Sequence, residues 1–176
     1  NMPRSEVLPY IAVQVAGAFA GVAAAHLMFG DPVFFASEHV RTGPAQWWSE
    51  FVATFGLIAV IIGCSRSRPG VTPFAVAAYI TAAYWFTSST SFANPAVTLA
   101  RSATNTFAGI RPMDAPGFIA AQLLGAAAAT LVFCWLYPAA PAGATVAGTV
   151  APGDFVSSAH RQPDSAATTQ PEHTNG

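Results

Sequence analysis

The stretch Ser91-Phe92-Ala93-Asn94-Pro95-Ala96-Val97-Thr98-Leu99-Ala100-Arg101 decides the fold. It follows an apolar run with almost no break and is itself largely apolar, yet it holds the pair Asn94-Pro95. The residue before a proline is pushed out of the α region. Proline itself fits the first turn of a new helix, where its missing N–H is no loss. Asn94 therefore reads as a helix N-cap and Pro95 as the first helical residue. A helix that starts inside hydrophobic surroundings has irregular backbone just before it. In a bilayer such backbone is tolerated only where protein buries it or a water-filled path runs beside it. The start of the helix offers free N–H donors and a partial positive charge, so the pattern implies an element that filters a polar solute and opposes cations.

Working outward, the composition is that of a membrane protein: 53% hydrophobic residues, 9% charged residues and a mean hydropathy of +0.44. The net charge of −1, with all seven basic residues arginine, gives no sign of a nucleic-acid partner. Cys64 and Cys134 sit in or beside apolar runs and read as small buried hydrophobes, with neither metal spacing nor a disulfide framework. No cofactor is implied. Four apolar runs, about 7–29, 46–63, 73–87 and 115–137, are expected to cross the bilayer, a task for roughly 17–25 residues. The half-length segment after Asn94 lies between the last two. From about residue 138 the chain turns to Pro, Ala, Gly, Ser, Thr and Gln, so 1–137 is expected to be the membrane region and 138–176 a disordered tail.

Within the first run, Gly17 and Gly21 form a small-xxx-small pattern that favours close helix contact. His26, near its end, reads as a helix-terminal or core histidine rather than a gate. The loop from 30 to 44 carries Asp31, Glu38, His39 and Arg41 and is expected to be water-exposed. Trp47 and Trp48 look like interfacial anchors. Glu50 follows one turn further in, and an ionisable residue inside a span is a functional candidate by default. It reads either as an interfacial carboxylate that reaches water or as an acceptor for unpaired N–H groups of the broken segment. The short loop with Arg66 and Arg68 belongs on the cytoplasmic side, which also puts the tail there. Thr87-Ser88-Ser89-Thr90-Ser91 is too polar for lipid contact and suits a segment whose carbonyls and hydroxyls face water.

The last run repeats the first. Tyr10-Ile11-Ala12-Val13-Gln14-Val15-Ala16-Gly17-Ala18 aligns with Phe118-Ile119-Ala120-Ala121-Gln122-Leu123-Leu124-Gly125-Ala126. Internal symmetry in a membrane protein points to a duplicated architecture with its site at the repeat interface. The expected unit is helix, helix, half-helix, helix, and the chain is then expected to be an N-terminally truncated six-helix protein.

Asn94-Pro95-Ala96, Glu50 early in the second helix and the internal repeat together resemble the major intrinsic protein family, the aquaporins and aquaglyceroporins, over about residues 6–138. The resemblance implies an all-α membrane protein, a right-handed helical bundle with inverted repeats. Here that means four spanning helices plus one re-entrant half-helix. It implies no enzyme, a homotetramer, and placement in a bacterial inner membrane. It also implies that the Asn94 amide binds the passing solute, with the backbone of Ser91, Phe92 and Ala93 accepting from it. The family's constriction normally has Arg after the second Asn-Pro-Ala, where this chain has Val97. It normally has His or an aromatic residue about twelve positions before the Asn, where this chain has Ala82 with Thr81 beside it. A third position falls on Ser91. Losing Arg and His removes bulk and charge-assisted donors, so the implied pore is wide. It would pass glycerol-like polyols, water, urea or neutral metalloid hydroxides such as arsenite, and Val97 resembles the arsenic-resistance-associated bacterial aquaglyceroporins.

Arg101 lies four residues after Val97 on the same helical face, about 6 Å further toward the outer mouth. It reads either as a displaced gatekeeping cation or as an arginine that reaches interfacial water or a loop carbonyl. Other functions fare worse. A serine protease lacks a base near Ser88, Ser89 or Ser91, and a secondary transporter lacks coupling residues besides Glu50. The alternative that remains is a non-conducting remnant or assembly partner of such a channel.

Overall fold

The computed structural model describes residues 3–137; the tail from 138 to 176, expected to be disordered, lies outside the described residues. Five α-helices follow in order: α1 (Arg4–Phe29), α2 (Pro44–Ser67), α3 (Thr72–Phe86), α4 (Pro95–Arg101) and α5 (Ala115–Leu136). Single 3-10 turns at Pro69–Val71 and Pro112–Asp114 lead into α3 and α5. Proline opens α2, α3, α4 and α5 within the first two positions, where its fixed φ suits the helix and its absent N–H is not missed. α1 stops at Gly30, whose φ of 75° is the left-handed C-terminal conformation that glycine takes without strain.

Among the described residues, three of the four expected spans are helices long and apolar enough by themselves to cross a membrane: α1, α2, and α5 with its leading 3-10 turn. The third run forms a helix of only 15 residues, about 22 Å long at 1.5 Å per residue. It ends there because Thr87 is already extended, with φ −103° and ψ 142°. The polar run that follows spends its hydrogen bonds elsewhere.

α2 and α5 form the most extensive pair of helices and run parallel. The start of α5 lies by the start of α2, since a Cβ on Gly117 would meet the Trp47 indole. At their far ends Arg66 Nη1 donates to the Tyr137 carbonyl at 2.9 Å. Between these points Gly125 lies so close to Phe51 that a Cβ would collide with the Phe51 carbonyl, the close approach that small residues permit in membrane bundles. α3 docks on α2 through Tyr79, whose hydroxyl donates to the Ala53 carbonyl at 3.0 Å and fills the space that a side chain at Gly56 would need.

The loops after α1 and α4 meet at the end of the bundle opposite Arg66 and Arg68. Phe35 and Ser37 donate their amides to the carbonyls of Ala103 and Ser102, at 3.1 and 3.0 Å, and Arg111 donates to His39 at 2.8 Å. Arg41 corrects the expectation of a water-exposed loop, because it is only 4% exposed. Its side chain reaches inward to three carbonyls that no local pattern would have paired with it. The cysteines are corrected too: Cys64 is half-buried and Cys134 exposed. Many large apolar side chains of α1 and α5 are likewise exposed, among them Leu8, Val13, Leu131 and Trp135. A small buried cluster of Phe92, Ile110 and Phe118 sits beneath the joined loops, with Val97 packed against it.

Candidate functional site: the broken segment and its carboxylate

Between α3 and α4 the backbone takes conformations that most residues avoid. Thr90, Ser91 and Ala93 have φ of 62°, 49° and 50°. Left-handed backbone costs a non-glycine residue about 1–3 kcal/mol, so the segment needs compensation from outside itself. Glu50 provides it. The carboxylate is fully buried. Its Oε1 accepts from the Ser89 hydroxyl at 2.6 Å and the Phe92 amide at 2.9 Å. Its Oε2 accepts from the Ala93 amide at 2.9 Å and the Gln122 side chain at 2.6 Å. Hydrogen bonds to a charged group contribute about 1.5–3 kcal/mol each, so four of them match or exceed the strain. Glu50 comes from α2, Gln122 from α5 and the two amides from the break, so one carboxylate fixes three elements.

The network continues into the half-helix. The same Gln122 nitrogen lies 2.8 Å from Thr98 Oγ1, which itself donates to the Asn94 carbonyl at 2.9 Å. Asn94 caps α4, its Oδ1 accepting from the Ala96 amide at 2.8 Å. That leaves the Nδ2 group, two N–H donors, without a partner among the described residues. The carbonyls of residues 90–93 also accept no hydrogen bond from any described residue. The break thus uses the Phe92 and Ala93 amides on Glu50 and the Thr90 and Ser91 amides on Thr87 and Ser89, and leaves its carbonyls, with the Asn94 amide beside them, unspent.

A cavity of about 570 Å³ lies between α1, α4 and the outer loops, and Val97, Ala100 and Arg101 border it together with His26 and Asp31. Its walls are mostly apolar. His26 is 3% exposed and has both ring nitrogens engaged, Nδ1 donating to the Val33 carbonyl and Nε2 paired with Thr104 Oγ1, each at 2.7 Å. It is a core residue that ties the end of α1 to the loop after α4. Of the other constriction residues, Ser91 is buried with its hydroxyl unpartnered. Ala82 and Thr81 lie exposed on α3, Thr81 bonded back to the Ala77 carbonyl at 2.8 Å. None of these three borders the cavity that Val97 lines.

Arg101 stacks on Phe92, its guanidinium carbon 4.2 Å from the ring centroid. The guanidinium of Arg41 lies 5.3 Å from the same centroid. Arg41 donates to the carbonyls of Gly109, Ser89 and Phe107 at 2.8, 3.1 and 2.8 Å, and its amide donates to Asp114 at 3.0 Å. Burial pushes its guanidinium below the usual arginine range, against the opposing pull of Glu50 and Tyr84. Sequence reasoning placed Arg41 in a water-exposed loop and gave it no structural role. It named Gln122 only as a repeat partner, although a glutamine in an otherwise apolar helix was a usable signal.

The chain is 58% identical over 142 residues to the aquaglyceroporin AqpS of Rhizobium meliloti (strain 1021), an alignment that covers 80% of this chain. The chain spans 61% of the length of that curated relative. No family model matches the sequence, and no solved structure matches it.

Proposed function

We propose that this chain, by its 58% identity to an aquaglyceroporin, belongs to the major intrinsic protein family of aquaporins and aquaglyceroporins and serves passive conduction of small uncharged solutes across the membrane. The observation that carries the reading is the polarity of the break. Its N–H groups are engaged within the protein, those of Phe92 and Ala93 by Glu50, while the carbonyls of residues 90–93 and the side-chain NH2 of Asn94 stay free. A hydroxylated solute needs both kinds of partner, donors for its oxygen and acceptors for its hydrogens, and here they sit side by side. Asn94 donates to the solute oxygen, and the carbonyls from Ser91 through Ala93 accept its protons. Pro95 and Ala96 begin the half-helix whose positive end opposes cations. Glu50 acts as the support of the break and takes no part in conduction.

We further assign the wide constriction to Val97, with Ser91, Ala82 and Thr81, which lie away from the cavity that Val97 lines, assigned to it by family resemblance alone; none of the four offers the bulk or charge of arginine or histidine. Glycerol-like polyols and neutral metalloid hydroxides such as arsenite then fit the path as well as water. The membrane region is residues 1–137. The assembly is a homotetramer in the bacterial inner membrane, with the tail on the cytoplasmic side. The reaction is transport without bond chemistry, so no enzyme activity is assigned. Stopped-flow light scattering on proteoliposomes, with water, glycerol and arsenite gradients, tests the reading. Glycerol flux well above that of empty liposomes is expected. Absence of flux for all three solutes would leave the non-conducting alternative.

A further inference from the structure

Arg101 is a charge without an acceptor. Four residues after Val97 on α4, it borders the same cavity, and no described carbonyl, carboxylate or hydroxyl accepts a hydrogen bond from its side chain. Its Nη1 is buried and unpartnered. Of the plain reading of such an arginine, a side chain reaching interfacial water or a loop carbonyl, the loop carbonyl is not met here. The nearby loop carbonyls of Gly109 and Phe107 are taken by Arg41 instead. What Arg101 has is a ring: Phe92, at 4.2 Å, and a cation over an aromatic face gains about 2 kcal/mol or somewhat more when desolvated. Removing an ion from water costs several kcal/mol even after relaxation. The ring therefore cannot hold the charge in a dry cavity, and the remaining guanidinium N–H groups require water beside them. An always-charged group, fixed on a rigid ring and facing hydrated space, sets the local potential. Arg41 adds a second positive charge 5.3 Å from the same ring.

We propose that Arg101 is the cation-excluding residue of this pathway, one helical turn outward of Val97, with Phe92 as its platform. The assignment rests on the channel reading above. It reconciles two demands that one residue at position 97 would set against each other. Width comes from Val97, which leaves room for a polyol. Positive charge comes from Arg101, whose guanidinium lies against Phe92 and so stays out of the opening. Protons and metal cations then meet a repulsive field in a path wide enough for larger neutral solutes.

The test uses the protein reconstituted in proteoliposomes, reading proton and sodium leak together with glycerol flux and taking their ratio. For Arg101→Gln the leak-to-glycerol ratio is expected to rise at least tenfold. For Arg101→Lys, which keeps the charge, it is expected to stay within about threefold of the unaltered protein. A ratio for Arg101→Gln within twofold of the unaltered protein overturns the inference, as does an equal rise in the lysine variant. Should Arg101→Gln fail to fold, Arg101→Met carries the same decision, because an unbranched apolar chain still covers the Phe92 ring. If the unaltered protein passes no glycerol, the channel reading fails and this inference fails with it. If glycerol passes and the ratio does not respond to Arg101, this inference alone fails.

Discussion

Two charged residues lie on either side of the half-helix, and their surroundings are opposite. Glu50 is fully buried and all its acceptor capacity is spent on four donors from the break and α5. Arg101 has no acceptor among the described residues and rests on an aromatic ring at the edge of a cavity. A buried charge that is fully paired is part of the scaffold, because moving it breaks every bond at once. A charge that is unpaired and beside hydrated space costs little to the scaffold and acts on whatever passes. The same contrast separates the two sides of the break itself, with N–H groups committed and carbonyls free.

The contrast can be broken most forcefully at Glu50. Glu50→Ala leaves the amides of Phe92 and Ala93, the Ser89 hydroxyl and the Gln122 side chain without their acceptor, each bond being worth about 1.5–3 kcal/mol. The expected outcome is loss of the folded, monodisperse protein in detergent, read by size-exclusion chromatography and thermal unfolding. A variant that stays monodisperse with an unchanged melting temperature would make Glu50 dispensable. Next in size is Gly125→Val. Its Cβ would run into the Phe51 carbonyl, and overpacking costs about 1–3 kcal/mol. Separating α2 from α5 would also pull Gln122 from Glu50, so a clear drop in melting temperature in detergent is expected.

Gln122→Leu sharpens the comparison on the scaffold side alone. It removes one donor from the carboxylate and the link to Thr98, and an expected loss of about 1.5–3 kcal/mol should appear in the same melting experiment with the protein still folded. The smallest effect is expected at the outer loops. Asp114→Ala leaves the buried Arg41 amide without its acceptor and removes the ion pair to Arg111 at 2.9 Å. The cost of about 1–3 kcal/mol for an unsatisfied buried donor is confined to the loop junction. Faster hydrogen exchange at the Arg41 amide is expected, with little change in the global melting temperature.

Much of this architecture was legible in the sequence for local reasons. Asn-Pro encodes an N-cap followed by a first helical residue, and both positions have that geometry. The apolar runs of α1, α2 and α5 announced spans because lipid demands long uninterrupted stretches. The third run was legible too, expected over 73–87 and found as a helix over Thr72–Phe86 that stops at the polar run; what hydropathy did not register is how short that helix is for a span. Glu50 was visible as a charge in a span, but its four partners lie 39 to 72 residues away, a separation no local pattern encodes. The role of Arg41 was invisible for the same reason, since its acceptors Ser89, Phe107 and Gly109 come from other loops. For Arg101 the sequence supplied two readings, a gatekeeping cation and an arginine reaching interfacial water or a loop carbonyl, and the structure removes only the loop carbonyl.

The most direct test of the path past Asn94 is glycerol flux through Asn94→Asp in proteoliposomes. Aspartate keeps the oxygen that caps the Ala96 amide, at 2.8 Å in this structure, so the half-helix keeps its start. It removes both Nδ2 donors and places a negative charge where the solute oxygen would bind. The account predicts a folded protein whose glycerol flux falls at least tenfold. Flux equal to that of the unaltered protein would mean that solutes do not pass by the Asn94 amide, and the central claim would be wrong.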